Sequence, residues 1–200
     1  FHEHRRCVRA GYAKFETFPI WNLPVRHPVN AAYEAATADL KDVNLVDPHH
    51  LQAHGEISTN YNRDVEAFPL LKRILKRIMG GTPPYQSPTD MGVNRAGFAI
   101  VDDEAAQEAA KQEIIRRYFR YSYEYIVGRV DAASVEGIEL LMKEYEVRPE
   151  DRPVVGPAQE AARLAEANSD SPVGKVFVGA AIELPDGTIV AAKNSPLLHA

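Results

Sequence analysis

The residues able to do chemistry in this sequence gather in four short polar stretches, each beside a helical pattern rather than inside one. The first is His27-Pro-Val-Asn30, followed by Tyr33, Glu34, Thr37 and Asp39. Asn30, Glu34 and Thr37 follow i, i+4, i+7 spacing and so draw a polar line along one helix face. The second is Asp47 with His49, His50 and His54. His50 and His54 stand one helical turn apart, a spacing a metal site could use. Solvent-exposed or backbone-bonded histidines are the commoner outcome, and no metal ligand is assigned from the spacing. The third is Thr59-Asn-Tyr-Asn-Arg-Asp64, which presents Asn62, Arg63 and Asp64 at a helix entrance where backbone N–H groups suit an anion. Capping the helix is the other use of Asn62 and Asp64. The fourth runs from Ser87 to Phe98 and supplies Asp90, Asn94 and Arg95 between Met91, Val93 and Phe98. A polar loop tied down by apolar residues is where binding groups collect; a neutralised Asp–Arg pair inside the protein is its structural alternative.

These residue types imply charge neutralisation and proton transfer. Lys14, Arg63 and Arg95 would neutralise phosphate or carboxylate groups, which the arginine fork matches well. Glu34, Asp64 and Asp90 could each serve as acid, base or Mg²⁺ ligand, and nothing in the sequence ranks them. His27, Asn30, Asn62 and Asn94 complete the candidate substrate contacts. No G-x-x-x-x-G-K-[ST] loop, G-x-S-x-G elbow or H-E-x-x-H helix occurs in these residues. The single cysteine, Cys7, leaves no cysteine pair for zinc or for an intramolecular disulfide, and it fits a reducing, cytoplasmic setting.

The elements that must position these groups are mainly helical. The sequence predicts a basic helix over residues 1 to about 15, then an extended segment broken by prolines 19, 24 and 28, which Ile20, Trp21 and Leu23 pin to a core. A helix follows from Pro28 or Val29 to about Leu40. Asp47-Pro48 opens a short helix that Gly55 stops, and a longer one runs from about Asn62 to Met79, closed by Gly80-Gly81. Its Lys72, Arg73, Lys76 and Arg77 lie near the C-terminus, where the macrodipole favours cations. The longest helix spans Glu104 to about Val127, with an apolar and aromatic face wide enough for burial on two sides. Helices over 132–145 and 157–168 read as support. After a composition change near 171, residues 175–184 and 188–193 read as strands joined by Pro185-Asp-Gly187, a strong hairpin signal.

Two hundred residues with 45% hydrophobic and 26% charged residues describe an ordinary globular chain. A formal charge of -5 argues against a general nucleic-acid binder. No apolar run approaches the roughly 20 residues a spanning helix needs, so no membrane partner is expected. Phe1 heads a helical pattern and residues 197–200 stop as another begins, as expected of a piece of a longer polypeptide. Some apolar surface should then be covered by unseen segments or by a second copy in a homo-oligomer.

Several long runs carry a resemblance. They are Ala10-Gly-Tyr-Ala-Lys-Phe-Glu-Thr-Phe-Pro-Ile-Trp-Asn22, the stretch His27 to Asn44, Asn60-Tyr-Asn-Arg-Asp64, Ser87 to Gly97, and Lys111-Gln-Glu-Ile-Ile-Arg-Arg-Tyr-Phe-Arg120. Together they resemble the bacterial family known as domain of unknown function 1846, or UPF 0371. The resemblance implies a longer protein, of which this is the middle part, with a preceding α/β domain that carries a P-loop-like, Gly-rich stretch. It assigns no activity. Val178 to Val190, then Asn194 and His199-Ala200, also look like the opening of the cytidine-deaminase-like fold, without the C-x-x-C that zinc deaminases use.

The expected fold is therefore α+β. The tail of an N-terminal α/β domain (1–16) leads into a mainly helical domain (17–170), and then comes the opening hairpin of a C-terminal α/β domain (171–200). The first functional expectation is a nucleotide- or phosphometabolite-dependent transferase or hydrolase, with a small-molecule ligand and Mg²⁺ carried by a nucleotide. The second is a metal-dependent hydrolase or deaminase using His49, His50, His54 or His199. The third is a non-catalytic scaffold or oligomerisation module.

Overall fold

The computed structural model describes residues 2–8, 14–15, 19–93, 96–167 and 176–193. Among these it is mixed α and β but mostly helical, with short strand pairs between the helices. Two compact units divide the chain, Phe1–Tyr145 and Glu146–Ala200.

In the first unit, α1 (His2–Arg5) is far shorter than the basic helix expected from residues 1 to 15. The chain turns at once, with Cys7 in the left-handed region at φ 59°, and a left-handed non-glycine residue cannot continue a right-handed helix. The segment β1 (Lys14–Phe15) pairs in parallel with β4 (Gly92–Val93). Helix α2 (Pro28–Ala36) has Pro28 in its first turn and His27 as N-cap. It stops at Thr37 rather than running to Leu40, and a 3-10 turn at Ala38–Leu40 takes over. Helix α5 (Asp103–Ile126) packs against both α2 and α6 (Ala132–Glu144), so it is central as its wide stripe predicted. Its buried residues are Ala110, Ile114, Ile115 and Tyr121. Beyond Tyr121 the expected burial ends: Tyr125 is 50% and Ile126 80% exposed.

A second layer carries the polar stretches. Strand β2 (Asn44–Val46) runs antiparallel to β3 (Thr59–Tyr61), with the short α3 (Pro48–His54) looping out between them. Asp47 caps α3 and Gly55, at φ 72°, ends it in the left-handed conformation that glycine tolerates. Helix α4 (Asn62–Met79) leaves β3 directly. Of the apolar stripe its spacing predicts (Val65, Phe68, Leu71, Ile74, Leu75 and Ile78) only Val65 and Phe68 are buried and Ile74 is exposed, as are Leu70 and Met79 of the same helix. In the Ser87–Phe98 loop Met91 is buried, but Phe98 is 63% exposed rather than in the core, meeting Trp21 edge-on at 6.0 Å.

In the second unit α7 (Val155–Ala167) packs on the antiparallel pair β5 (Gly179–Glu183) and β6 (Ile189–Lys193). A side chain at Gly179 would strike the Ala158 carbonyl of α7, so that contact requires glycine. The expected hairpin is present. Asn194 and His199, the remaining residues of the deaminase-like pattern, lie outside the described residues.

Candidate functional site

The densest polar meeting point lies where α3 and β3 face the loop 86–91. It is organised by Asp47, whose side chain is fully buried. Its Oδ1 accepts from the N–H groups of His49 and His50 at 2.9 and 3.1 Å, the ordinary work of an N-cap. Its Oδ2 reaches across to accept from the Thr89 hydroxyl at 2.7 Å and the Thr89 N–H at 3.3 Å. The Ser58 and Thr89 hydroxyls touch at 2.8 Å, and Asn60 Nδ2 donates to Thr89 Oγ1 at 3.3 Å. One buried carboxylate thus fixes the start of a helix and a distant loop in the same frame.

The loop holds itself by a reciprocal bond. Asp90 N–H donates to Ser87 Oγ at 3.1 Å, while Asp90 Oδ2 accepts from the N–H groups of Ser87 at 3.1 Å and Gln86 at 2.7 Å. This is the geometry of a capping box. It leaves Asp90 Oδ1 facing α3, where it lies 2.9 Å from His54 Nε2 and 3.5 Å from His50 Nδ1. The two rings stand 4.6 Å apart, one turn along α3. His50 Nδ1 also meets Ser87 Oγ at 3.0 Å, and its buried Nε2 has no hydrogen-bond partner, with Glu56 Oε2 at 3.9 Å. Burial alone would push the Asp90 carboxyl up. The Gln86 N–H, the His54 imidazole and the Ser87 N–H outweigh it and hold the group below the usual carboxylate range. His54 stays 35% exposed, so the cluster has a buried back and an open front.

The other candidate residues fall elsewhere. His27 caps α2 through Nδ1, which accepts from Val29 N–H at 3.2 Å, and its Nε2 meets Asp103 Oδ1 of α5 at 3.0 Å. Asn30 is fully buried and clamps the extended segment: Oδ1 accepts from Ile20 N–H at 2.8 Å, and Nδ2 donates to the Ile20 and Pro24 carbonyls at 3.1 and 3.2 Å. Glu34 accepts from Asn44 N–H at 2.9 Å; burial pushes its carboxyl up, opposed by that N–H and reinforced by Glu144. Asn62 accepts from Val43 N–H at 3.0 Å, and Arg63 Nη2 donates to the buried Asp42 Oδ2 at 3.0 Å. Asp64 sits in the first turn of α4, where the helix dipole favours it. Glu34 and Asn62 thus hold the consecutive N–H groups of Asn44 and Val43, whereas Asp90 lies with the histidines of α3. Backbone pairing sets Lys14 opposite Gly92, two residues past Asp90; Asn94 and Arg95 lie outside the described residues.

A separate cavity of about 420 Å³ opens between α2 and α5, with Tyr33 and Thr37 of the first polar stretch, Tyr61 of the third, and Glu113 and Arg117 in its wall. The Tyr61 hydroxyl is buried there without a hydrogen-bond partner, and burial pushes it up to about 12.

Ser58 lies outside the four polar stretches, whereas Asn60, Ser87 and Thr89 lie within them without being among the candidate contacts. Ser87-Pro-Thr-Asp90 has the spacing of a capping box and could have been recognised. The tie from Thr89 to Asp47 has no local signal.

A mostly helical α and β chain, with two imidazoles and a carboxylate gathered at a helix–loop junction, is the class defined so far. Residues 1–146 match the family model described as domain of unknown function DUF1846, N-terminal, and the chain belongs to that family. It is 55% identical over 197 residues to a UPF0371 protein of Streptococcus thermophilus, covering 98% of this chain and 38% of that protein. It is 50% identical over 203 residues to a UPF0371 protein of Clostridioides difficile, covering 100% of this chain and 39% of the relative. The resemblance carried by the long sequence runs is borne out. The chain spans less than two-fifths of the length of these curated relatives. No helix among the described residues is long and apolar enough to cross a membrane.

Proposed function

We propose that this chain supplies a reaction centre at His50, His54 and Asp90 to an enzyme acting on a small phosphate-bearing molecule, nucleotides included. The observation that carries the reading is the convergence of two helix-borne imidazoles on one oriented carboxylate, buried behind and open in front. Its phosphate side draws support from position: Lys14 stands in register with Gly92, so a cation belongs to the strand beside the loop. Asn94 and Arg95 come directly after β4, the partner of that strand, in the sequence. A P-loop-like segment upstream, as the family resemblance implies, would face the same class of ligand. The C-terminal hairpin is read as the opening of a cytidine-deaminase-like domain, supported by its Asp186-Gly187 turn and its packing on α7.

Thermal-shift screening of the full-length protein against nucleotides and sugar phosphates, with and without Mg²⁺, tests the reading. A ligand that binds the folded protein raises the melting temperature by mass action. The expected result is a shift for phosphate-bearing compounds that His54→Ala reduces. A flat response across the panel ends the proposal. A homo-oligomer is favoured by one separate observation, the exposed Leu70, Ile74 and Met79 along α4; a monomeric full-length protein in sedimentation removes it.

A further inference from the structure

We infer that His50 Nδ1, His54 Nε2 and Asp90 Oδ1 form a site for one divalent transition-metal cation of the Zn²⁺, Co²⁺ or Fe²⁺ kind. The inference deepens the reading above by naming what the reaction centre holds. Each of the three residues offers one ligand atom, and these atoms lie within 4.8 Å of one another. A cation with bonds of about 2.1 Å in tetrahedral geometry separates its ligand atoms by about 3.4 Å. The distance from Asp90 Oδ1 to His50 Nδ1, 3.5 Å, already matches. The 2.9 Å to His54 Nε2 must open by about half an ångström. His54 is the last residue of α3, partly exposed, and Gly55 follows it, so the movement falls at the open end of the helix.

The surroundings of the three ligands are those of a built site. Asp90 Oδ2 is committed to the N–H groups of Gln86 and Ser87, which orients the carboxylate to offer only Oδ1. His50 presents the second, independent observation. Its buried Nε2 has no hydrogen-bond partner, and the carboxylate of Glu56 stands 3.9 Å away. A buried polar nitrogen without a partner is costly. Coordination through Nδ1, in place of its 3.0 Å contact with Ser87 Oγ, leaves the proton on Nε2, 3.9 Å from the Glu56 carboxylate, and metal-bound imidazoles ordinarily donate their other N–H to a carboxylate. Trp21 meets the His50 ring edge-on at 6.4 Å and shields the back of the site. Two nitrogens and one oxygen select a borderline cation over Mg²⁺, which prefers an all-oxygen shell. Three protein ligands leave at least one position open on the exposed side of His54, the pattern of catalytic rather than structural sites.

The test uses the full-length protein, freed of metal by a chelator that is then removed, and titrated with CoCl₂ while calorimetry and the visible ligand-field absorption are recorded. Saturation at one Co²⁺ per chain is expected. His54→Ala, which removes a ligand at the rim of the fold, should weaken binding at least as much as the roughly 10- to 100-fold that losing an outer-shell partner costs. Glu56→Gln, at an exposed side chain, should weaken it by roughly tenfold while leaving the metal-free melting temperature unchanged. Binding that does not saturate, or that is indifferent to His54→Ala, overturns the metal site. A phosphate-ligand shift that survives in metal-free protein and still depends on His54 leaves the reaction-centre reading standing without the metal. One-to-one Co²⁺ binding with no ligand shift leaves the reverse.

Discussion

Asn30 separates a structural polar residue from a ligand contact, and replacing it with alanine decides which it is. The side chain is fully buried and holds Ile20 at both its N–H and its carbonyl, with the Pro24 carbonyl as a third partner. Alanine removes these three bonds, and a longer one of 3.5 Å from Nδ2 to the Leu23 carbonyl, and fills none of their places. Each bond contributes about 1 kcal/mol net, and each buried backbone group left unpaired costs about 1–3 kcal/mol. Water can reach part of the emptied space, so the loss should settle at roughly 3–5 kcal/mol, out of the 5–15 kcal/mol typical of a domain. For a unit of this size that lowers the melting temperature by roughly 6–20 °C. Peptide-level hydrogen exchange should show the damage locally, as lost protection between Ile20 and Pro24. Asn30→Asp keeps the acceptor for Ile20 N–H but sets a charged oxygen against two carbonyls, so it should be no better at neutral pH and should recover in acid, where the protonated carboxyl can donate. An Asn30→Ala protein within about 0.5 kcal/mol of the parent, with unchanged exchange at Ile20, would refute the clamp and return Asn30 to the ligand.

Two further substitutions test the carboxylates that the fold has absorbed. The Glu34 carboxyl is held above its ordinary range chiefly by burial. Such a group contributes most to stability below its unfolded value, and the contribution fades as pH rises through the raised folded value. Glu34→Gln retains an acceptor for Asn44 N–H without the charge, so it should raise the melting temperature at neutral pH and give no gain near pH 3; equal effects at both pH values would remove burial as the cause. Arg63→Ala leaves Asp42, whose side chain is 1% exposed, without the guanidinium 3.0 Å from its Oδ2, and should cost about 1–3 kcal/mol given that Arg63 itself is half exposed. Asp42→Asn added to it should recover much of that in chemical denaturation; unchanged stability with a lost phosphate-ligand shift would make Arg63 a binding residue instead.

What could be read from the sequence followed the range of the interaction concerned. Helix ends were legible because capping is local: Asp47-Pro48 and Gly55 bound α3, and Gly80 closes α4. The C-terminal strand pair was legible because Asp186-Gly187 turns it within a few residues. The pairing of β2 with β3 escaped, since two three-residue strands separated by a helix show no alternation long enough to detect. His27 and Asn30 read as candidate contacts because a buried polar clamp and a binding group draw on the same residue types, and only the partner tells them apart.

The candidate site combines both kinds of information. His50 and His54 were visible as an i, i+4 pair, and Ser87-Pro-Thr-Asp90 carries its own capping spacing. Their meeting was not visible, because His54 and Asp90 are 36 residues apart and Asp47 joins them through Thr89, 42 residues away. That tie also bears on function. A capping carboxylate satisfied by its own helix needs no second partner, yet Asp47 spends its other oxygen on the loop that aims Asp90 at the histidines. Thr89→Val should therefore leave α3 capped while loosening Asp90, so Co²⁺ affinity should fall even though Thr89 is not among the three ligand residues. Unchanged affinity in that variant would mean that the loop is held by its own Ser87–Asp90 bonds and that the buried carboxylate serves the helix alone.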